Sequence, residues 1–338
     1  MNAPHTLVHV DRRAVAAWTS LSGIAPSTLG PEVGEGLHLL PSEAWHRSPA
    51  TDALVRWSLP VGCVATHRDA TRDPVAVAAT LAAFGHQARA AVVLPVRRHG
   101  RFAATALASA LAPHITVEPA DAPASDDSLR LFVLCGDDAV YAGMGHASAC
   151  GSAYAGGMPR WCHAAADADA ASRAGDKLRE AHAWLVATGG IVGWPRRCLE
   201  LGAFPGGMTE ILAQQGTHVE AVDKASASAA LTTLMRTGAI TYATADALTH
   251  VPTAPFDMLV CDINGPPRPA LDNLARLAHW HRAGGALVHT VKLPSWDAWP
   301  ALWDHATTCL TNAGYAQIEA RHLAANRQEL ALFARRLA

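Results

Sequence analysis

Between residues 196 and 337 short apolar, β-branched runs alternate with stretches of helical spacing. That alternation restricts this part of the chain to a doubly wound α/β architecture, with a mostly parallel sheet covered by helices. RRCLELG reads as a first strand and GMTEILAQQG as the helix after it. HVEAVD is a second strand, and a helix is expected over about 226–236. AITYATAD and FDMLVCDING follow as strands, the latter broken at Asn264-Gly265-Pro266-Pro267. PALDNLARLAHWHRAG reads as a helix, GALVHTVKLP as a strand and WPALWDHATTCLTNAG as a helix. AQIEARHL and ELALFARRL close the sheet. A further helix leads into this unit from near Ser172 and ends at Gly189-Gly190.

Upstream the pattern is looser. Residues 1–55 form an N-terminal region of unclear fold, with one candidate strand between Val33 and Leu40. Residues 56–150 read strand–helix–strand–helix–strand–strand. There the helix after Pro74 stops at Gly85, and a hairpin turns at Gly136-Asp137-Asp138. Residues 151–170, rich in Gly, Ala and Asp, read as a connector, so 151–338 comprises connector and second α/β domain. The 338 residues are 50% hydrophobic and 17% charged, which is incompatible with wholesale disorder. A net charge of -2 excludes a histone-like polycation but not a local basic patch. The seven cysteines are odd in number and form no CxxC pair, and the 18 histidines form no HExxH. Neither a disulfide framework nor a metal site is therefore expected. The N-terminus has no apolar signal core, and no window of about 18 apolar residues spans a membrane. A soluble, cytoplasmic protein is expected.

The sharpest local feature is Glu200-Leu201-Gly202-Ala203-Phe204-Pro205-Gly206-Gly207, where a buried strand meets a helix. Glycines there permit unusual dihedrals and close approach of a ligand, although a tight strand–helix turn alone would use the same residues. The surroundings favour a nucleoside-bearing cofactor. Asp223 ends the next strand, where an acid commonly holds a ribose diol, Asp246 ends the third, on the adenine side, and Asp262 ends the fourth. There is no GxxxxGK[ST] phosphate loop, and Pro205 interrupts a GxGxxG spacing. An anion at Glu200 suits a cationic sulfonium better than a pyrophosphate. This favours S-adenosyl-L-methionine over a nicotinamide dinucleotide.

Lys292, one of few lysines, leaves the strand ALVHTV at the same sheet edge. Lys177 lies on the helix entering the domain, and Glu329 follows Arg327-Gln328 at the start of the last strand. With Asp262 these residues complete a Lys-Asp-Lys-Glu set. In that order and context the sequence resembles the FtsJ/RrmJ-type ribose 2'-O-methyltransferases. Within them it resembles the RlmM-like ribosomal RNA (cytidine-2'-O)-methyltransferases. The resemblance covers mainly 151–338 and rests on Gly156-Gly157-Met158-Pro159-Arg160, Ser172-Arg173, the loop Glu200–Thr209, VCDINGPP, VKLP and NRQELALF. It implies a Rossmann-like S-adenosyl-L-methionine-dependent methyltransferase domain, preceded at 56–150 by a smaller, THUMP-like α/β RNA-binding domain. It implies Lys177, Asp262, Lys292 and Glu329 as catalytic residues. Cofactor binding would fall to Glu200, Gly202, Phe204, Pro205, Gly206, Gly207, Asp223, Asp246 and Asp262. Three departures stand out: Glu200 replaces the usual aspartate, and Phe204 and Met208 stand where a smaller residue and a tryptophan are expected.

The implied reaction is methyl transfer to a ribose 2'-hydroxyl of RNA, with a cytidine of large-subunit ribosomal RNA as the expected target. Lys292 is expected to be the base or the cation that stabilises the alkoxide. Another RNA, or a nucleoside-like small molecule, is the alternative substrate. RNA rather than DNA is the expected partner, with no membrane association, and the resemblance suggests a monomer. Arg97, Arg98 and Arg101 beside His99, with Arg160, Arg173, Arg327, Arg335 and Arg336, are candidate phosphate contacts. Trp161, Trp296 and Trp299 are candidate stacking residues.

Overall fold

The computed structural model describes residues 5–30, 32–96, 100–159 and 172–337. Arg97, Arg98, His99, Arg160 and Trp161 lie outside the described residues. The chain divides into two units, Met1–His163 and Ala164–Ala338.

The first unit holds two sheets. Four antiparallel strands run in the order Glu32–Gly34, Leu37–Pro41, His5–Val10, Val55–Val61. Five more run in the order Cys63–Thr66, Ala139–Gly145, Arg130–Cys135, Ala90–Pro95, Val117–Glu118. Alternation along Arg130–Cys135 explains how the layers stack. Leu131 and Val133 face the helices Pro74–Phe84 and Gly100–Leu111, whereas Phe132 and Leu134 pack with Leu7, Trp57 and Leu59 of the first sheet. Residues up to 55 therefore share a core with those that follow: Val55–Val61 pairs along His5–Val10. The span between Val33 and Leu40 is a hairpin of two strands around Gly36, whose φ is +71°.

The second unit is built on seven strands. They are β1 (Arg197–Leu201), β2 (His218–Asp223), β3 (Ile240–Thr244), β4 (Phe256–Cys261), β5 (His281–Lys292), β6 (Tyr315–Arg321) and β7 (Glu329–Arg336). Its helices are α1 (Ala174–Ala187), α2 (Gly207–Gln214), α3 (Ala229–Arg236), α4 (Pro267–Leu277) and α5 (Trp299–Asn312). The sheet order is β3-β2-β1-β4-β5-β7-β6. The first five are parallel, and β7 is antiparallel to both its neighbours. This is a Rossmann-like sheet. From β1 the chain winds outward to β2 and β3, then crosses back to β4, so the switch point lies between β1 and β4, where ligands bind in such sheets.

One expected helix is shorter than its sequence suggests. PALDNLARLAHWHRAG is α-helical to Leu277 and continues as a 3-10 turn over Ala278–Trp280, after which β5 begins at His281. The imidazole of His281 is buried and meets the Tyr315 hydroxyl at 3.0 Å, so tertiary pairing overrides the helical spacing. Burial lowers its pKa to about 4 and keeps it neutral. Among the described residues no helix is long and apolar enough to cross a membrane.

Candidate active site

Four chain segments converge at the carboxyl edge of this sheet. In β5 and β7, Lys292 and Glu329 are directly opposed across the antiparallel ladder. Leu293 N donates to Gln328 O at 3.1 Å, and Gln328 Nε2 donates to Leu293 O and Pro294 O at 3.0 Å each. These bonds hold the two strand ends together. Asp262 follows β4, and its backbone N–H donates to Leu201 O at 2.9 Å. Lys177 comes from α1, which must lie close to α2 to deliver it. Two glycines make that approach possible. A Cβ on Gly175 would sit 2.8 Å from Gly207 O, and one on Gly207 would sit 2.3 Å from Ser172 Oγ.

The four side chains form a closed ring of alternating charge. Lys177 Nζ lies 3.4 Å from Asp262 Oδ2 and 2.5 Å from Glu329 Oε1. Lys292 Nζ lies 2.5 Å from Asp262 Oδ1 and 2.7 Å from Glu329 Oε2. Of the chain's three lysines, Lys177, Lys224 and Lys292, two are in this ring. The ring side chains are between 11% and 23% exposed, so a substrate oxygen can reach them. Burial opposes the charged form of Lys292, but Asp262 and Glu329 together outweigh it and raise its pKa above the ordinary lysine value. Lys292 is thus held as an ammonium. Of the two roles expected for it, that of free-amine base requires the opposite shift.

The glycine loop adjoins this ring. Gly202, at φ +83°, has no room for a side chain, because a Cβ would lie within 2.9 Å of Asp262 and Ile263 backbone atoms. Gly206, at φ +115°, opens α2. Phe204 is half exposed, and its N–H donates to Asp223 Oδ2 at 3.1 Å. Asp223 Oδ1 also accepts from Ala225 N at 2.8 Å. Ser228 Oγ donates to Pro205 O at 2.7 Å. Asp246 instead accepts from Leu248 N at 3.0 Å and pairs with Lys224 at 3.2 Å, holding its own turn. Glu200 differs from all of these. It is 2% exposed, and its Oε2 has no hydrogen-bond partner. Burial pushes its pKa to about 8; Asp262 and Asp223 push the same way, and Thr209 partly offsets the shift.

Several residues that build the site carry no motif. Glu180, one turn beyond Lys177, accepts from Ala324 N at 2.9 Å and so ties α1 to the loop that leads into β7. Trp184 Nε1 donates to Glu319 Oε1 at 2.6 Å, a second tie from α1, to β6. Only the helical spacing of 177, 180 and 184 hints at this shared face. Among the arginines, Arg173, Arg327 and Arg101 are exposed. Arg335 donates to Gly190 O, and Arg336 donates to Ala278 O and Gly314 O, which spends both guanidinium groups on the fold rather than on a partner. Trp299 is fully buried and stacks near Trp303, so it belongs to the core. Trp296 is partly exposed and packs edge-on against His322. Met208 and Met258 fill the core.

Residues 170–279 match the FtsJ-like methyltransferase family. The matched segment holds Lys177, the glycine loop and Asp262; Lys292 and Glu329 lie beyond it. The chain is also similar to the ribosomal RNA large subunit methyltransferase M of Marinobacter nauticus, at 35% identity over 50% of this chain and 48% of that protein. To the protein of the same name from Chromohalobacter salexigens it is 33% identical, over 52% of this chain and 49% of that protein. The chain spans about half the length of these curated relatives. TrmN from Thermus thermophilus aligns over 99% of this chain and all of its own, at 14% identity and a TM-score of 0.36.

Proposed function

We propose that this protein transfers a methyl group from S-adenosyl-L-methionine to a ribose 2'-hydroxyl of RNA, with a cytidine of large-subunit ribosomal RNA as the target. The single observation that carries this reading is the Lys177–Asp262–Lys292–Glu329 ring beside a glycine loop at the sheet's switch point. The similarity to large-subunit methyltransferases supports the substrate class.

The residues at the loop fit such a cofactor. A buried carboxyl with one unpartnered oxygen, Glu200 Oε2, suits a ligand that brings positive charge and hydrogen-bond donors. Asp223 accepts one backbone N–H on each oxygen and keeps lone pairs for a diol. Gly202, Phe204, Pro205, Gly206 and Gly207 frame the loop, and Asp246 braces the turn on its far side. When bound, S-adenosyl-L-methionine supplies an electrophilic methyl group.

The ring does the rest. Lys292 spends two of its three N–H donors on Asp262 and Glu329, and the third donates to the attacking ribose oxygen. Its positive charge stabilises the negative charge that develops there. Because Lys292 is already protonated, the hydroxyl proton passes to a ring carboxylate, which Lys177 keeps oriented. Holding oxygen and methyl in line supplies much of the acceleration. The first unit serves as an RNA-binding module of THUMP-like type over 56–150, and exposed Arg101 is one of its phosphate contacts. Trp296 offers a ring for base stacking near Lys292.

The deciding experiment is transfer of labelled methyl to total RNA from cells lacking the protein. Nuclease digestion and mass spectrometry should locate the label on one 2'-O-methylcytidine of large-subunit ribosomal RNA. Label on transfer RNA or on free nucleosides would replace the substrate, and no transfer at all would refute the reading.

A further inference from the structure

A second cluster of reactive side chains lies on the two helices that follow the ring's strands β4 and β5. His305 and Cys309 are four residues apart on α5 and project from one face. Asp272, on the neighbouring α4, completes a triplet. Asp272 Oδ1 is 2.8 Å from His305 Nε2 and 3.8 Å from Cys309 Sγ, and the ligand atoms all lie within 4.8 Å of one another. We propose that Asp272, His305 and Cys309 form a divalent-metal site of the zinc class that clamps α4 to α5.

The geometry and the donor chemistry agree on this class. Zinc bonds of about 2.0 Å to nitrogen and oxygen and about 2.3 Å to sulfur give tetrahedral edges of about 3.3–3.5 Å. The distances from Asp272 Oδ1 fall on either side of that range, so a small side-chain adjustment closes the site. Imidazole, thiolate and carboxylate are all zinc ligands, and a thiolate with a carboxylate neutralises a dication. Asp272 is exposed, which leaves the fourth position open to water. The sulfur already lies against the opposite helix: the Cys309 thiol donates to Leu271 O at 3.6 Å. This is the single such triplet among the described residues, and no linear motif announces it, because its third ligand comes from another helix. In the metal-free state the Cys309 thiol keeps its proton and donates toward Leu271 O and Asp272 Oδ1. Metal binding forms the sulfur–metal bond and releases that proton to buffer.

The test uses the full chain, stripped of metal with a chelator and titrated with Co(II). Stoichiometric binding with a thiolate-to-cobalt charge-transfer band, displaced by one equivalent of Zn(II), is the expected result. Cys309→Ser should abolish the band. Cys309→Ser, His305→Ala and Asp272→Asn should each weaken Zn(II) by at least about 10- to 100-fold, while circular dichroism verifies their folding. Zinc should raise the Tm of the parent chain and leave that of Cys309→Ser unchanged. Absence of the band, or a band of full intensity in Cys309→Ser, would overturn the site. Methyl transfer is not the readout, so the result is independent of the proposed activity.

Discussion

Glu200 and Glu220 sit on adjacent parallel strands, both shielded from solvent and identical in chemistry, yet their surroundings are opposite. Glu220 on β2 accepts from Arg197 Nη2, His250 Nε2 and Thr253 N and Oγ1 at 2.7–3.2 Å. Burial opposes its charge, but those bonds outweigh it and hold its pKa below the ordinary carboxyl value. Glu200 on β1 has an unpartnered oxygen, and burial raises its pKa to about 8. A saturated buried acid holds the fold together, whereas an unsatisfied one is a cost that the fold retains where a ligand can relieve it. The ring lies between these extremes: its four groups satisfy one another but remain open to one more donor or acceptor.

The largest expected effect concerns the ring. Lys292→Ala should lower turnover by about 100- to 1,000-fold, the scale for losing one donor to a developing oxyanion, with cofactor affinity retained, measured by methyl-transfer kinetics and calorimetry. Its pH profile sharpens the point. An ammonium donor gives a rate that holds through neutral pH and falls only as Lys292 titrates, above the ordinary lysine range. A rate that climbs steeply toward that range would instead assign it the free-base role.

Next comes the saturated acid. Glu220→Ala should cost about 3 kcal/mol by urea denaturation, the low end for breaking a buried ion pair, because Arg197 and His250 are partly solvated. The two glutamates should also tilt stability with pH in opposite senses. Glu220 has a depressed pKa, so its contribution is present above the unfolded value and lost as pH falls through the folded one. Glu200 has a raised pKa, so the native state keeps a proton that the unfolded chain gives up. Its cost is absent below about 4.5 and grows as pH rises to about 8. Glu200→Gln should therefore raise Tm above pH 8 and leave it unchanged near pH 4, while weakening cofactor binding. Equal Tm shifts at both pH values would erase the contrast. The smallest effect is at Asp223. Asp223→Ala should weaken S-adenosylhomocysteine by roughly tenfold, the scale of one hydrogen bond to a charged group, with saturated turnover little altered.

Much of the second unit is legible from the chain alone. Asp223 and Asp262 stand at strand ends because apolar runs stop there, and HVEAVD coincides with β2. The boundaries that fail are those set by distant partners. His281 leaves its helix for Tyr315, and Val55–Val61 completes a sheet begun at His5–Val10. Arg335 and Arg336 look like a basic terminus until their backbone acceptors are seen.

While the four charged residues were singled out by the family resemblance, local patterning by itself determined the succession of strands and helices in the second unit and the glycine loop. Those features follow from backbone preferences and periodic burial, which neighbours along the chain suffice to express. Register and helix packing decided the rest. The opposition of Lys292 to Glu329, the Gly175–Gly207 approach that delivers Lys177, and the isolation of the Glu200 oxygen exist only once separate segments meet. Electrostatic character depends on what lies within a few ångströms in space, and that is a property of the folded sheet.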